Sequence, residues 1–234
     1  MINTNTDKII IICYSSFSGG KFLVNSLGLS NKIVLQDINL ATQQANGNFS
    51  KQEKFEYFVT KLNENGPTKE WNDLGLGCFQ FFGVLDKEYL QNKVTVERFD
   101  NKISNIIDND LTFFLVAHNY IFLPKYLEVW KNAKIIVFEN SDLFIKWRTN
   151  GKQTDNGAFS REKFLDKNVI HYFDNNNYFS KIKTLDEIEK MHQVLDLPDF
   201  DKELVSNYYD LWMSKLLENK IYWEKSNKSG RINF

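Results

Sequence analysis

Hydrophobic residues in this chain come first as short continuous runs and later as stripes at helical spacing. The run from Lys8 to Tyr14, with four successive isoleucines, predicts a strand buried on both faces, as in a parallel sheet. A polar, glycine-containing turn follows, from Ser15 to Lys21. Phe22, Leu23, Ser26 and Leu27 then fall on one helical face, and Gly28 is a plausible stop. Ile33-Val34-Leu35 is a possible second strand. Residues 50–64 predict a helix, with Ser50 and Glu53 as a capping box and Phe55, Phe58, Val59 and Leu62 as its apolar stripe. Phe79 to Phe82 fits strand or buried helix equally, and periodicity leaves residues 66–110 open. Leu111–Ala117 and Lys134–Phe138 predict two strands, joined by a crossover helix over Leu123–Trp130 in a βαβ unit. Val169–Phe173 suits a further strand. The remainder reads as helical. Thr184 and Glu187 suggest a second capping box, with Leu185, Ile188, Met191 and Leu195 as the stripe and Pro198 as the break. Leu204, Tyr208, Leu211 and Trp212 place a last helix over residues 201–218, and the polar tail after Trp223 reads as loose.

The pattern predicts one α/β domain over residues 1–234, with a mostly parallel central sheet flanked by helices and residues 175–234 mainly helical. Composition agrees. Of 234 residues, 42% are hydrophobic and 25% charged, which excludes wholesale disorder. The formal net charge of −1 argues against whole-surface attraction to nucleic acid or an anionic membrane. Two cysteines, Cys13 and Cys78, are too few for a disulfide framework or a zinc site. No apolar run reaches the roughly 18–20 residues needed to span a bilayer. The first residues lack the basic and apolar regions of a secretion signal, so the expected location is cytoplasmic.

The strongest local signal is a strand, then Ser16-Phe17-Ser18-Gly19-Gly20-Lys21, then a helix. Glycines let several backbone N–H groups converge on one point. The helix N-terminus adds roughly half a positive charge. Lys21 and the serine hydroxyls add donors. Such a turn suits a phosphate, although an ordinary strand–helix turn has the same shape. The Walker A pattern G-x-x-x-x-G-K-S/T is incomplete, with Ser15 for its first Gly and Phe22 for the magnesium-binding hydroxyl. His118 directly follows a predicted strand, where the sites of open α/β sheets gather. It is either a general base near neutral pH or a structural histidine. His171, in a strand-like run, and His192, on a polar helix face, read as structural. Lys146, Arg148 and Lys152 suit a phosphate clamp or a solvated helix face equally. Tyr208, Tyr209, Trp212, Tyr222 and Trp223 read as packing.

In combination these features resemble the P-loop sulfotransferase family, in particular its small bacterial and phage members. Ser16-Phe17-Ser18-Gly19-Gly20-Lys21-Phe22-Leu23 looks like the family's Y-P-K-S-G-T-T-W-L loop, with Ser18-Gly19 on its Ser-Gly and Phe22 on its Trp. Val116-Ala117-His118, followed by Pro124, is similar to K-T-H-L-P. Ala133 to Ser141 is similar to the strand K-I-I-Y-V-x-R-N-P. The resemblance implies a three-layer P-loop sulfotransferase-like fold with a C-terminal helical segment. It implies 3′-phosphoadenosine 5′-phosphosulfate as co-substrate, no metal, and a small-molecule or carbohydrate acceptor. His118 would be the catalytic base and Lys21 a catalytic cation. Ser16, Phe17, Ser18, Gly19, Gly20, Lys21 and Phe22 would hold the 5′-phosphosulfate, and Asn140, Ser141 and Arg148 the 3′-phosphate.

The chain departs from the family pattern at Phe17 (Lys in the family), Val116 (Lys), Glu139 (Arg) and Trp147 (Ser). Two alternatives therefore stand beside transfer. One is a non-catalytic nucleotide- or phosphate-binding relative of the fold. The other is a P-loop kinase or NTPase, for which neither a magnesium ligand nor a Walker B acid is visible.

Overall fold

The computed structural model describes residues 9–14, 19–33, 50–64, 78–79, 113–117, 123, 127, 131–139, 142–149, 167–197 and 199–228. Five parallel strands form one sheet in the order β2-β3-β1-β4-β5: β1 Ile9–Cys13, β2 Cys78–Phe79, β3 Phe113–Ala117, β4 Lys134–Glu139 and β5 Val169–Asp174. β1 is central and buried at every position, which explains a run with no alternation. β5, the edge strand, is half-buried at five of its six positions. The α/β class and the parallel sheet thus agree with the pattern. Ile33 makes only an isolated bridge, and the rest of that proposed strand lies outside the described residues. Cys78–Phe79 resolves the ambiguous aromatic run as strand where it is described.

The helices are α1 Gly20–Gly28, α2 Lys51–Glu64, α3 Asp142–Thr149, α4 Lys181–Val194 and α5 Lys202–Lys228, with a short 3-10 helix at Asn175–Phe179. Leu123 and Leu127 are helical and packed on the core, as a crossover helix requires. α2 begins as the sequence predicts. The Ser50 amide donates to Glu53 Oε2 at 2.8 Å, and the Glu53 amide reaches Ser50 Oγ at 3.3 Å.

Three expectations are corrected. The Thr184–Glu187 box does not start α4. Ser180 is its N-cap, and Thr184 lies one turn inside, where its hydroxyl donates to the Asn177 carbonyl at 2.7 Å. A buried hydroxyl needs a partner, and these carbonyls supply it. His192 is buried rather than on a polar face, with Nδ1 3.3 Å from the Leu197 carbonyl and its ring 5.0 Å from Phe200. The last helix continues to Lys228, past the point at which the tail was expected to loosen. Leu204, Tyr208 and Trp212 hold its first part against the core, so the polar remainder extends a helix already nucleated.

α1 packs on β1, α4 and α5. Every α1 residue except Lys21 is buried. Phe22 sits at the centre of an aromatic cluster, stacked on Trp212 at 4.5 Å and on Tyr208 at 5.6 Å, with Tyr178 edge-on at 5.5 Å. Burying a ring of this size contributes about 2–3 kcal/mol. Asn25 Nδ2 donates to the Tyr208 hydroxyl at 2.7 Å inside the same core. The aromatics Tyr208, Tyr209 and Trp212 are therefore packing residues. The side chains of Tyr222 and Trp223 lie outside the described residues.

The far end of α1 is polar. Ser30 Oγ donates to Asp199 Oδ1 at 2.5 Å, and the Asn31 amide donates to Asp199 Oδ2 at 2.7 Å. Lys54, from α2, is completely buried, and its ammonium donates to the carbonyls of Ser30 at 2.5 Å and Ile33 at 2.7 Å.

Candidate functional site: the turn between β1 and α1

Three of the sequence motifs end at one edge of the sheet. Cys13 is paired with Ala117 of β3 on one side and with Val137 of β4 on the other. The chain leaving β1 therefore starts the glycine turn between the ends of the two strands that precede His118 and Asn140. Chain progression also reverses here, since β1 neighbours β3 on one side and β4 on the other. Open α/β sheets bind ligands at such a switch point.

Gly19 is the N-cap of α1, in the left-handed region at φ +85°. That conformation favours glycine. A Cβ at Gly19 would also come within 2.6 Å of the Tyr178 ring, and a Cβ at Gly20 would overlap the Tyr14 ring. Packing against two tyrosines thus demands both glycines. Among the described residues no side chain caps α1, and its first turn holds no acidic residue. Among those residues the partial positive charge of this helix end meets no capping side chain. Lys21 lies in this first turn, half-buried.

The predicted site residues divide as follows. Gly19, Gly20 and Lys21 stand together at the helix start. Phe22 points into the aromatic core, as a packing residue that seats the helix beneath the turn. Ser16, Phe17, Ser18, His118, Asn140 and Ser141 lie outside the described residues, as does Lys152. Arg148 belongs to α3 by its backbone, with its side chain outside the description, and Lys146 on the same helix is exposed. Glu139 ends β4 and pairs in register with Asp174 of β5, so two acids share that corner of the sheet. His171 is in β5 with Nε2 3.1 Å from Glu187 Oε2 of α4, which suits a structural role. Cys13 is fully buried, and burial pushes its thiol far up, which leaves it protonated and unreactive. No group of three or more His, Cys, Asp and Glu side chains converges among the described residues. Among them, too, no helix is long and apolar enough to cross a membrane.

Sequence reasoning missed Tyr14 and Tyr178. Tyr14 extends β1 and was read only as the end of a strand. Tyr178 is 159 residues from its hydrogen-bond partner Gly19, and no local pattern reports such a contact. Compared with family models, curated proteins and solved structures, the chain matches none of them.

Proposed function

We propose that this chain is a sulfotransferase-like protein with a three-layer P-loop fold, whose β1–α1 turn binds the 5′ end of 3′-phosphoadenosine 5′-phosphosulfate. The observation that carries the reading is the acid-free start of α1 at the end of the central strand, without a capping side chain among the described residues and with Gly19, Gly20 and Lys21 gathered there. Backbone N–H groups and the helix dipole at such a place favour a phosphate or sulfate group. The parallel register supports the rest. Ala117, which precedes His118 in the sequence, is level with Cys13 at the end of the central strand.

In the proposed reaction an acceptor hydroxyl or amine attacks the sulfur of the phosphosulfate. A bond from acceptor to sulfur forms as the bond from sulfur to the 5′-phosphate oxygen breaks. His118 takes the acceptor proton, and the electron pair leaves with 3′-phosphoadenosine 5′-phosphate. Lys21 and the turn N–H groups stabilise charge on the transferring group and the leaving phosphate.

One observation favours a second reading, a phosphate-binding relative with altered nucleotide preference. Glu139 and Asp174 lie side by side at the end of β4 and β5, where the family pattern has an arginine for the 3′-phosphate. A carboxylate at the position of that arginine repels a phosphate instead of binding it.

Thermal unfolding separates these readings. A ligand at a hundredfold excess over its Kd stabilises the folded state by about 2.7 kcal/mol. We expect 3′-phosphoadenosine 5′-phosphate to raise Tm without magnesium. An equal shift with adenosine 5′-diphosphate would show that the 3′-phosphate goes unrecognised and favour the second reading. No shift with either would refute anion binding at the turn. Catalysis has its own test. His118→Asn should still bind nucleotide while sulfuryl transfer from labelled donor falls by on the order of 10²–10⁴. Near-normal turnover in that variant would remove His118 as the base.

A further inference from the structure

We infer that Tyr178 is a conformational lock on Gly19, the N-cap of α1, coupling the conformation of that residue to the seating of the C-terminal helix α5. Gly19 adopts φ +85°, yet glycine populates positive and negative φ about equally, so the residue itself does not hold this shape. Something outside it must. The Tyr178 hydroxyl donates to the Gly19 carbonyl at 2.9 Å, and the Tyr178 ring lies against the Gly19 Cα. That carbonyl also accepts the Phe22 amide at 3.0 Å, the first bond of α1. Rotating the Gly19 peptide would break both bonds in a fully buried place.

Tyr178 is itself held from two directions. Its 3-10 helix is capped by Asp174, which accepts the Asn176 amide at 2.8 Å, and is tied to α4 by the Thr184 hydroxyl on the Asn177 carbonyl. From α5, the Tyr209 hydroxyl donates to the Tyr178 carbonyl at 2.6 Å, and the Trp212 ring lies 5.0 Å from the Tyr178 ring. A buried line of contacts thus runs from Tyr209 through Tyr178 to Gly19. Loosening α5 removes the support of the lock. By reciprocity, whatever holds the turn in place also holds α5. The claim concerns the fold and stands whether or not the turn takes an anion.

Hydrogen exchange on the free protein tests it. Tyr178→Phe keeps the ring and loses the hydroxyl. Exchange at the amides of residues 22–26 should then accelerate about five- to tenfold, while the amides of residues 135–138 in β4 stay as they were. Tyr209→Phe, which removes the outer bond only, should accelerate the same amides of α1 to a smaller extent, together with those of residues 205–212. Unchanged exchange at residues 22–26 in Tyr178→Phe would overturn the lock, as would an equal acceleration in β4, which would mean general destabilisation. If Tyr178→Phe does not fold, Tyr209→Phe decides by the same comparison between α1 and β4.

Discussion

The two ends of helix α1 are built from opposite materials. Its start is made of glycine and tyrosine, with no charged side chain capping it among the described residues. Its end is made of Ser30, Asn31, Lys51, Lys54 and Asp199, where a buried ammonium and a half-buried carboxylate hold the chain as it leaves the helix. A helix leaves four N–H groups and four carbonyls without intrahelical partners. Here the chain just past the carbonyl end is secured by the protein's own side chains, through the Ser30 and Ile33 carbonyls, the Ser30 hydroxyl and the Asn31 amide, which anchors the helix from behind. Among the described residues the N–H end has no capping side chain, and it is held by the Tyr178 hydroxyl on the Gly19 carbonyl and by ring contacts. That asymmetry is what an anion-binding turn requires, because a capping carboxylate or hydroxyl at the front would compete for the same donors.

The most damaging way to break the front end is to give Gly19 a side chain. Gly19→Ala meets left-handed strain of about 1–2 kcal/mol and overpacking against Tyr178 of about 1–3 kcal/mol. Denaturant unfolding should show a loss of about 2–5 kcal/mol in total. A loss below about 0.5 kcal/mol, the range of ordinary surface changes, would mean that the turn is not held as described.

The rear end makes a prediction of intermediate size, through pH. Burial pushes the Lys54 ammonium down to about 8, with Asp199 opposing the shift and Lys51 adding to it. The unfolded chain keeps the ordinary lysine value near 10.5. Between these values the unfolded state binds more protons than the folded state, so stability rises with pH. Two acceptors face the amine among the described residues, and a neutral amine has two N–H groups to satisfy them. The bonds therefore survive loss of the proton. At 1.36 kcal/mol per pKa unit, the unfolding free energy should gain about 3 kcal/mol from pH 8 to pH 10.5, on an order-of-magnitude basis. Lys54→Gln keeps a donor and loses the titration. The difference between native protein and this variant should grow over that window, and a constant difference would contradict the buried, depressed lysine.

How far the sequence foretold this contrast depends on range. The β1 run, the α2 capping box and the α4 stripe were legible, because each is written within a dozen neighbouring residues and obeys one period. Gly19 and Gly20 were legible as a special turn, but the reason found in the sequence, room for an anion, was only part of it. The rings of Tyr14 and Tyr178 require them as well. On α2 the expected stripe was Phe55, Phe58, Val59 and Leu62. The residues that are fully buried include Lys54 with Phe58 and Leu62, while Phe55 and Val59 are half-buried. A lysine reads as solvent-facing in any local pattern, and the Ser30 and Ile33 carbonyls just past α1, with Asp199 nearby, make its burial tolerable. Thr184 misled for the related reason that a hydroxyl preceding an acid looks like a cap wherever it falls, although Ser180 four residues earlier holds that place.

The smallest effect concerns the hydroxyl that joins α1 to Asp199. Burial alone would raise the Asp199 carboxyl. The Asn31 amide, the Ser30 hydroxyl and the Lys51 ammonium together outweigh burial and hold it below the ordinary carboxylate range. Ser30→Ala removes one of these donors and leaves the other two. Near neutral pH, where Asp199 is ionised, the variant should lose about 1 kcal/mol in urea unfolding. The sign of the pH dependence follows from the direction of the shift. A carboxyl held low in the folded state adds stability above its unfolded value of 3.8, and that stability disappears as pH falls through the folded value. Without the Ser30 hydroxyl the folded value rises toward the unfolded one, so the variant has less to lose in acid. The gap between native protein and variant should therefore narrow as pH falls below about 4 and close once Asp199 is protonated in both. A gap that stays the same from neutral to acid pH would show that Ser30 acts through packing or the backbone alone, and that the rear of α1 is not held by charge.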